Sequence, residues 1–98
     1  MKITKNQYEN IKNSNQQLFL KFSAEWCGPC KRYAPVYQQF SEINPQLQIF
    51  SVDCDDQREL AEHFGIMSIP CTIVVKNGEV QHRKNGILSA EDLQAMID

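Results

Sequence analysis

Apolar residues along this 98-residue chain switch repeatedly between two spacings, and that alternation limits the folds open to it. Leu18-Phe19-Leu20-Lys21-Phe22 is too short and too apolar for a surface helix. It reads as a strand buried on both faces of a sheet, with Lys21 as its anomaly. From 27 to 43 the spacing turns helical, with Tyr33, Val36, Tyr37, Phe40 and Ile43 on one broad face. Residues 47–52 return to a strand pattern. Asp55 or Asp56 is placed to cap a short helix bearing Leu60, Ala61 and Phe64, stopped at Gly65. Thr72 to Val75 is strongly β-branched, Asn77-Gly78 predicts a hairpin turn, and 79–84 alternates as an edge strand should.

Both ends fit the same scheme. Thr4 and Gln7 make a capping box for a helix over 4–13, with Ile3 and Tyr8 at hydrophobic-staple positions. Ile3 also closes a short leading strand. Ser89 and Asp92 repeat the box for a last helix whose Leu93, Met96 and Ile97 face inward. Pro29 is tolerable in the first turn of the long helix, whereas Pro35 lies inside it and should kink it. Strands separated by helices predict parallel crossovers, and the hairpin adds antiparallel pairing. The expected fold class is α/β: a single domain over 1–98, with a central mixed β-sheet flanked by α-helices.

Several functions are disfavoured at once. The formal charge is −2 with acids and bases interspersed, so no Lys/Arg stripe is present to bind nucleic acid. No apolar run is long enough to span a bilayer, so no membrane partner is expected. Polar residues come after Met1-Lys2-Ile3 where an export signal would continue apolar, which makes the cytoplasm the expected compartment. In a reducing cytosol the 4 cysteines suit catalysis, metal binding or burial better than permanent staples.

Cys27 comes after the buried strand and opens the long helix. Free N–H groups and the positive end of the helix dipole meet there, and both favour a thiolate, the attacking species in disulfide exchange. Two intervening residues bring Cys30 within disulfide range, and Gly28 and Pro29 suit a tight, stiff corner. Trp26 is the kind of aromatic that packs near a reactive thiol or meets a partner. The chemistry open to such a pair has two steps: Cys27 attacks a partner's disulfide, and Cys30 then releases the reduced partner. No metal or organic cofactor is required. A zinc half-site is the competing reading, but Cys54, Cys71, His63 and His82 supply no second close pair. A purely structural disulfide closing so short a loop would constrain the unfolded chain little.

The run Trp26-Cys27-Gly28-Pro29-Cys30-Lys31 resembles the active site of the thioredoxin family. Further matches occur in order along nearly the whole chain: Phe22-Ser23-Ala24-Glu25, Pro35, Gly65-Ile66, Ile69-Pro70, Lys76-Asn77-Gly78-Glu79 and Gly86. The resemblance implies a thioredoxin fold in which Pro70 is a cis-proline facing the cysteines. Trp26, Ile69, Pro70 and Gly86 would frame a shallow apolar groove for oxidised protein substrates. A thioredoxin reductase using NADPH would recharge the pair. The chain also departs from the pattern. Where relatives carry a buried aspartate beneath the second cysteine, Lys21 reverses the charge; Ser23 replaces a frequent tryptophan, and Cys71 replaces the usual threonine after the cis-proline.

Lys21 therefore has two candidate roles in tuning the pair, as a cation stabilising a thiolate or as a neutral amine accepting the Cys30 proton; its alternative is to reach solvent from an apolar stem. Cys71 reads first as a buried apolar residue and second as a third redox thiol. Cys54 lies among Asp53, Asp55 and Asp56, which oppose thiolate formation. Those acids are explained by helix capping and exposure, and His63 and His82 are expected at the surface. The expected activity is protein-disulfide reduction. The alternatives are a specialised oxidant or isomerase of the same fold, and a redox-inert interaction module, against which the two intact cysteines argue.

Overall fold

The computed structural model describes all residues from Met1 to Asp98. In chain order its elements are α1 (Lys5–Ile11), β1 (Leu18–Ser23), α2 (Gly28–Ile43), β2 (Gln48–Asp53), α3 (Arg58–His63), β3 (Cys71–Lys76), β4 (Glu79–Asn85) and α4 (Ala90–Ala95). Both capping boxes form, with Thr4 and Ser89 accepting the amides of Gln7 and Asp92 and the reciprocal bonds in place. Such a cap is worth about 1 kcal/mol to a helix this short. At the hairpin, Asn77 and Gly78 both take positive φ, 55° and 77°, as a two-residue turn with the strands' own twist requires.

The sheet runs in the order β2-β1-β3-β4, which puts the apolar strand β1 in its interior. The faces of β1 alternate as a strand's must. Leu18, Leu20 and Phe22 enter a core with Tyr8, Leu60, Phe64, Ile73 and Val75, beneath α1 and α3. Phe19 enters a second core with Tyr33, Tyr37, Phe40, Leu93 and Met96, beneath α2 and α4. Each fully buried aromatic or leucine in these layers contributes roughly 1.5–3 kcal/mol. Helices thus cover both faces, and the long helix α2 is anchored on the second.

Four expectations need correction. β1 and β2 are parallel, but β3 runs antiparallel to β1, so the chain passing through α3 does not make a second parallel crossover. The leading strand reduces to a single bridge, Lys2 to Ser51, because the chain turns at once into the Thr4 cap. Neither Asp55 nor Asp56 caps α3. Gln57 holds that position without a side-chain bond, while Asp53 Oδ1 accepts the amides of Asp55 and Asp56 at 2.9 and 3.3 Å and turns the chain first. Ile43 is 58 % exposed, because the inward position after Phe40 goes to Asn44, which is buried and bonds the Phe40 carbonyl.

Candidate active site

β1 delivers the chain to the site. After it ends, the Cys27 amide bonds back to the Ala24 carbonyl at 3.2 Å, and Cys27 itself becomes the N-cap of α2. Its Sγ accepts the Cys30 amide at 3.2 Å, one of the donors a helix start leaves without a backbone partner. Cys27 and Cys30 are joined by a disulfide with their Cα atoms 5.2 Å apart, and each is 4 % exposed. Pro29 lies in the first turn, where its missing N–H costs nothing. At Gly28 an added Cβ would meet nothing within 4 Å, and its φ is not positive, so the corner does not need glycine for space or conformation.

The second wall comes from the loop before β3. The Ile69–Pro70 peptide is cis, and the Ile69 carbonyl oxygen lies 3.8 Å from Cys27 Sγ. Gly86, at φ +89°, donates its amide to the Pro70 carbonyl at 2.8 Å, which ties the turn after β4 to the same loop. The fold therefore brings Cys27, Ile69, Pro70 and Gly86 together. Trp26, which precedes Cys27 in the chain, is 70 % exposed, with its indole N–H donating to Asp55 at 2.9 Å. Met67 and Ile87 are also exposed, at 97 % and 45 %, and adjoin this wall in sequence. Neither is marked by a pattern in the sequence, since a single apolar residue outside a periodic element reads equally as buried or exposed.

Lys21 is buried, 8 % exposed, on the α2 side of the sheet. Its Nζ lies 5.0 Å from the centroid of the Tyr37 ring. Its cross-strand neighbours, Ser51 and Thr72, carry no charge. It lines a cavity of about 160 Å³ that Cys30, Ala34 and Asp53 also line. Burial pushes its amine below the ordinary lysine value. Tyr33, hydrogen-bonded to Thr72 at 2.8 Å, is pushed by burial up to about 12.

The other cysteines are free thiols. Cys71 is fully buried beside Phe22 at the start of β3, and burial raises its pKa. Cys54 is pushed up to about 11, first by burial and then by Asp53 and Asp55. Both shifts keep the thiols protonated and so weak as nucleophiles. His63 is exposed against Tyr8 and Phe64, while His82 is half-buried on β4 rather than at the open surface.

An N-capping cysteine joined to a partner on the first turn of a helix, facing a cis-proline from a mixed sheet, defines a thiol–disulfide oxidoreductase that works by dithiol–disulfide exchange. The chain belongs to the thioredoxin family, whose profile, Thioredoxin, matches residues 1–98. It is 41% identical over 78 residues to a thioredoxin of Bacillus subtilis, covering 79% of this chain and 75% of that one. It is 35% identical over 89 residues to a thioredoxin of Haemophilus influenzae, covering 90% and 83%. Among solved structures, the thioredoxin of Plasmodium falciparum superposes with a TM-score of 0.86 at 33% identity over 98% of this chain and 95% of that one. Fasciola hepatica thioredoxin gives 0.89 at 26% over 99% and 96%. The chain is accordingly an oxidoreductase acting on protein disulfides.

Proposed function

We propose that Cys27 is the attacking thiol and Cys30 the resolving one in the reduction of oxidised proteins. The Cys27 thiolate attacks one sulfur of the substrate disulfide; a mixed disulfide forms and one substrate thiolate leaves. Cys30, as thiolate, then attacks Cys27 Sγ, closes the internal disulfide and releases the second substrate thiol. The substrate gains two electrons and two protons. The observation that carries this assignment is Cys27 Sγ accepting the Cys30 amide at 3.2 Å from the N-cap of a 16-residue helix. There the amide and the helix dipole stabilise negative charge on that sulfur in the reduced form.

Around it, Trp26, Ile69, Pro70 and Gly86 form the docking surface for an extended substrate segment. Pro29 stiffens the corner between the cysteines, where Gly28 stands without a steric requirement, and Lys21 tunes the pair from beneath α2. A thioredoxin reductase drawing on NADPH returns the disulfide to the dithiol. The residues 1–98 act in this cycle as one domain, an electron carrier of the cytoplasm that needs neither nucleic acid nor membrane. A catalysed insulin-precipitation assay with a reductase and NADPH tests the cycle. Turnover is expected with the parent chain, and none above background would remove the reductase assignment.

A second reading rests on Lys21 lining the same cavity as Cys30. A charged Lys21 near the pair would stabilise thiolate, hence the reduced form, and make the disulfide a stronger oxidant. Equilibration with glutathione buffers separates the two. A reductase stays reduced only in strongly reducing mixtures, and an oxidant becomes reduced easily.

A further inference from the structure

Arg83 lies on the exposed edge strand β4, opposite Ile73. Its guanidinium reaches the far end of α3, where Nη1 donates to the Phe64 carbonyl and Nη2 to the Gly65 carbonyl at 2.9 Å. That helix end is otherwise complete. Gly65 takes φ +62°, its amide bonds to Glu62 at 2.9 Å, and the Ile66 amide bonds to Ala61 at 3.0 Å. This double closure uses the helix's own last carbonyls and leaves those of Phe64 and Gly65 to an outside donor. A guanidinium presents paired N–H groups in a fixed fork and can serve both; an ammonium cannot hold two acceptors in the same fixed geometry.

Pinning Phe64 and Gly65 also constrains the next stretch of chain. The segment Ile66–Ile69 holds the exposed Met67 and ends at the carbonyl 3.8 Å from Cys27 Sγ. Its far end is fixed by the Gly86 amide on Pro70, and its near end by Arg83. Both clamps come from β4 and the turn after it.

We propose that Arg83 is a positioning residue for protein substrates: by pinning Phe64 and Gly65, it preforms the Ile66–Ile69 edge of the docking surface beside Cys27. This rests on the reading that oxidised proteins dock there. Preforming a contact surface lowers the ordering cost of binding and leaves the chemistry of the sulfurs alone. Arg83 should therefore act on KM for a protein disulfide. It should not act on kcat, nor on reaction with a small aromatic disulfide that makes no use of the segment.

The test uses the full chain as parent, Arg83→Gln and Arg83→Lys, with insulin as protein substrate and a small aromatic disulfide as control. Hydrogen exchange of the amides at 66–69 is measured alongside. For Arg83→Gln the expected result is a KM for insulin raised roughly three- to tenfold, the scale of losing charge-assisted hydrogen bonds at a partly exposed site. The kcat and small-disulfide rate stay at the parental values, and exchange at 66–69 quickens relative to α2. Arg83→Lys should fall between, nearer the glutamine variant. An unchanged KM would overturn the proposal, as would a small-disulfide rate that falls in step with insulin turnover. So would a lysine variant equal to the parent, since charge alone would then suffice. A parent that reduces the small disulfide but not insulin would remove the docking reading, and this proposal with it.

Discussion

The side-chain nitrogen of Lys21 sits over the face of Tyr37, 5.0 Å from the ring centroid, in a layer where neither cross-strand neighbour can neutralise it. The ring returns about 0.5–2 kcal/mol of attraction, which falls short of the several kcal/mol that effective burial of a lone ion costs. Burial accordingly lowers the amine's pKa. The amine's cost to stability is therefore fully present below its folded value, and stability rises with pH towards the ordinary 10.5.

Replacing Lys21 with Met keeps the length and removes the charge. The expected effect is a higher pKa for an active-site thiol, read from thiolate absorbance against pH, because a nearby cation is lost. Each unit corresponds to about 30 mV in the couple. Urea unfolding of the same variant should show a gain in stability that is largest near neutral pH and shrinks towards pH 10.5. Superimposable titration curves, with unchanged rates of mixed-disulfide resolution, would leave Lys21 without electrostatic influence on the pair.

Alkaline stability should be governed by groups of the opposite kind. Cys54 is an acid raised from 9.0 to about 11, and Tyr33 is raised from 10.0 to about 12. In each case the unfolded chain loses its proton first. The stability they contribute is intact below the ordinary value and lost as pH rises through the folded one. Against the opposite trend from Lys21, the urea midpoint of the parent is therefore expected to decline relative to that of Cys54→Ala between pH 9 and about 11. Parallel profiles for the two proteins would show that Cys54 does not contribute.

Cys71 should be dispensable for turnover. It is fully buried with a raised pKa, so it is a poor nucleophile despite coming directly after Pro70. Cys71→Thr preserves a small side chain while adding a hydroxyl that needs a partner, and insulin reduction is expected within a few-fold of the parent. Detection by mass spectrometry of an obligatory Cys71 disulfide in each cycle would contradict the two-cysteine scheme.

Local chemistry was readable along the chain wherever it was self-contained. Thr4 with Gln7, Ser89 with Asp92, and Asn77-Gly78 each satisfy their own backbone within a few residues, so their patterns carry over directly. The same holds for Cys27, whose cap position depends only on a strand ending and a helix beginning. Features set by distant pairing were not readable. The antiparallel sense of β3 is decided by its partner β1, not by the length of the α3 connection. Asp53 bonds the amides of Asp55 and Asp56 and delays the helix start to Gln57, which the local run of acids does not reveal. Gln17 reads as a loop residue, yet it is buried and bonds Met96 and Gln81, stitching the end of α4 to the sheet. Arg83 looks like one more charge on an edge strand until α3 is folded against it.

The assignment of roles within the pair is tested most directly by trapping. Cys27→Ser removes the attacking sulfur, whereas Cys30→Ser leaves attack intact and blocks release. Each reduced variant is to be mixed with an oxidised protein substrate and the products identified by mass spectrometry. Cys30→Ser is expected to accumulate a covalent complex through Cys27, and Cys27→Ser to form none. A complex through Cys30 in the Cys27→Ser protein, or full turnover in both variants, would contradict the assigned roles.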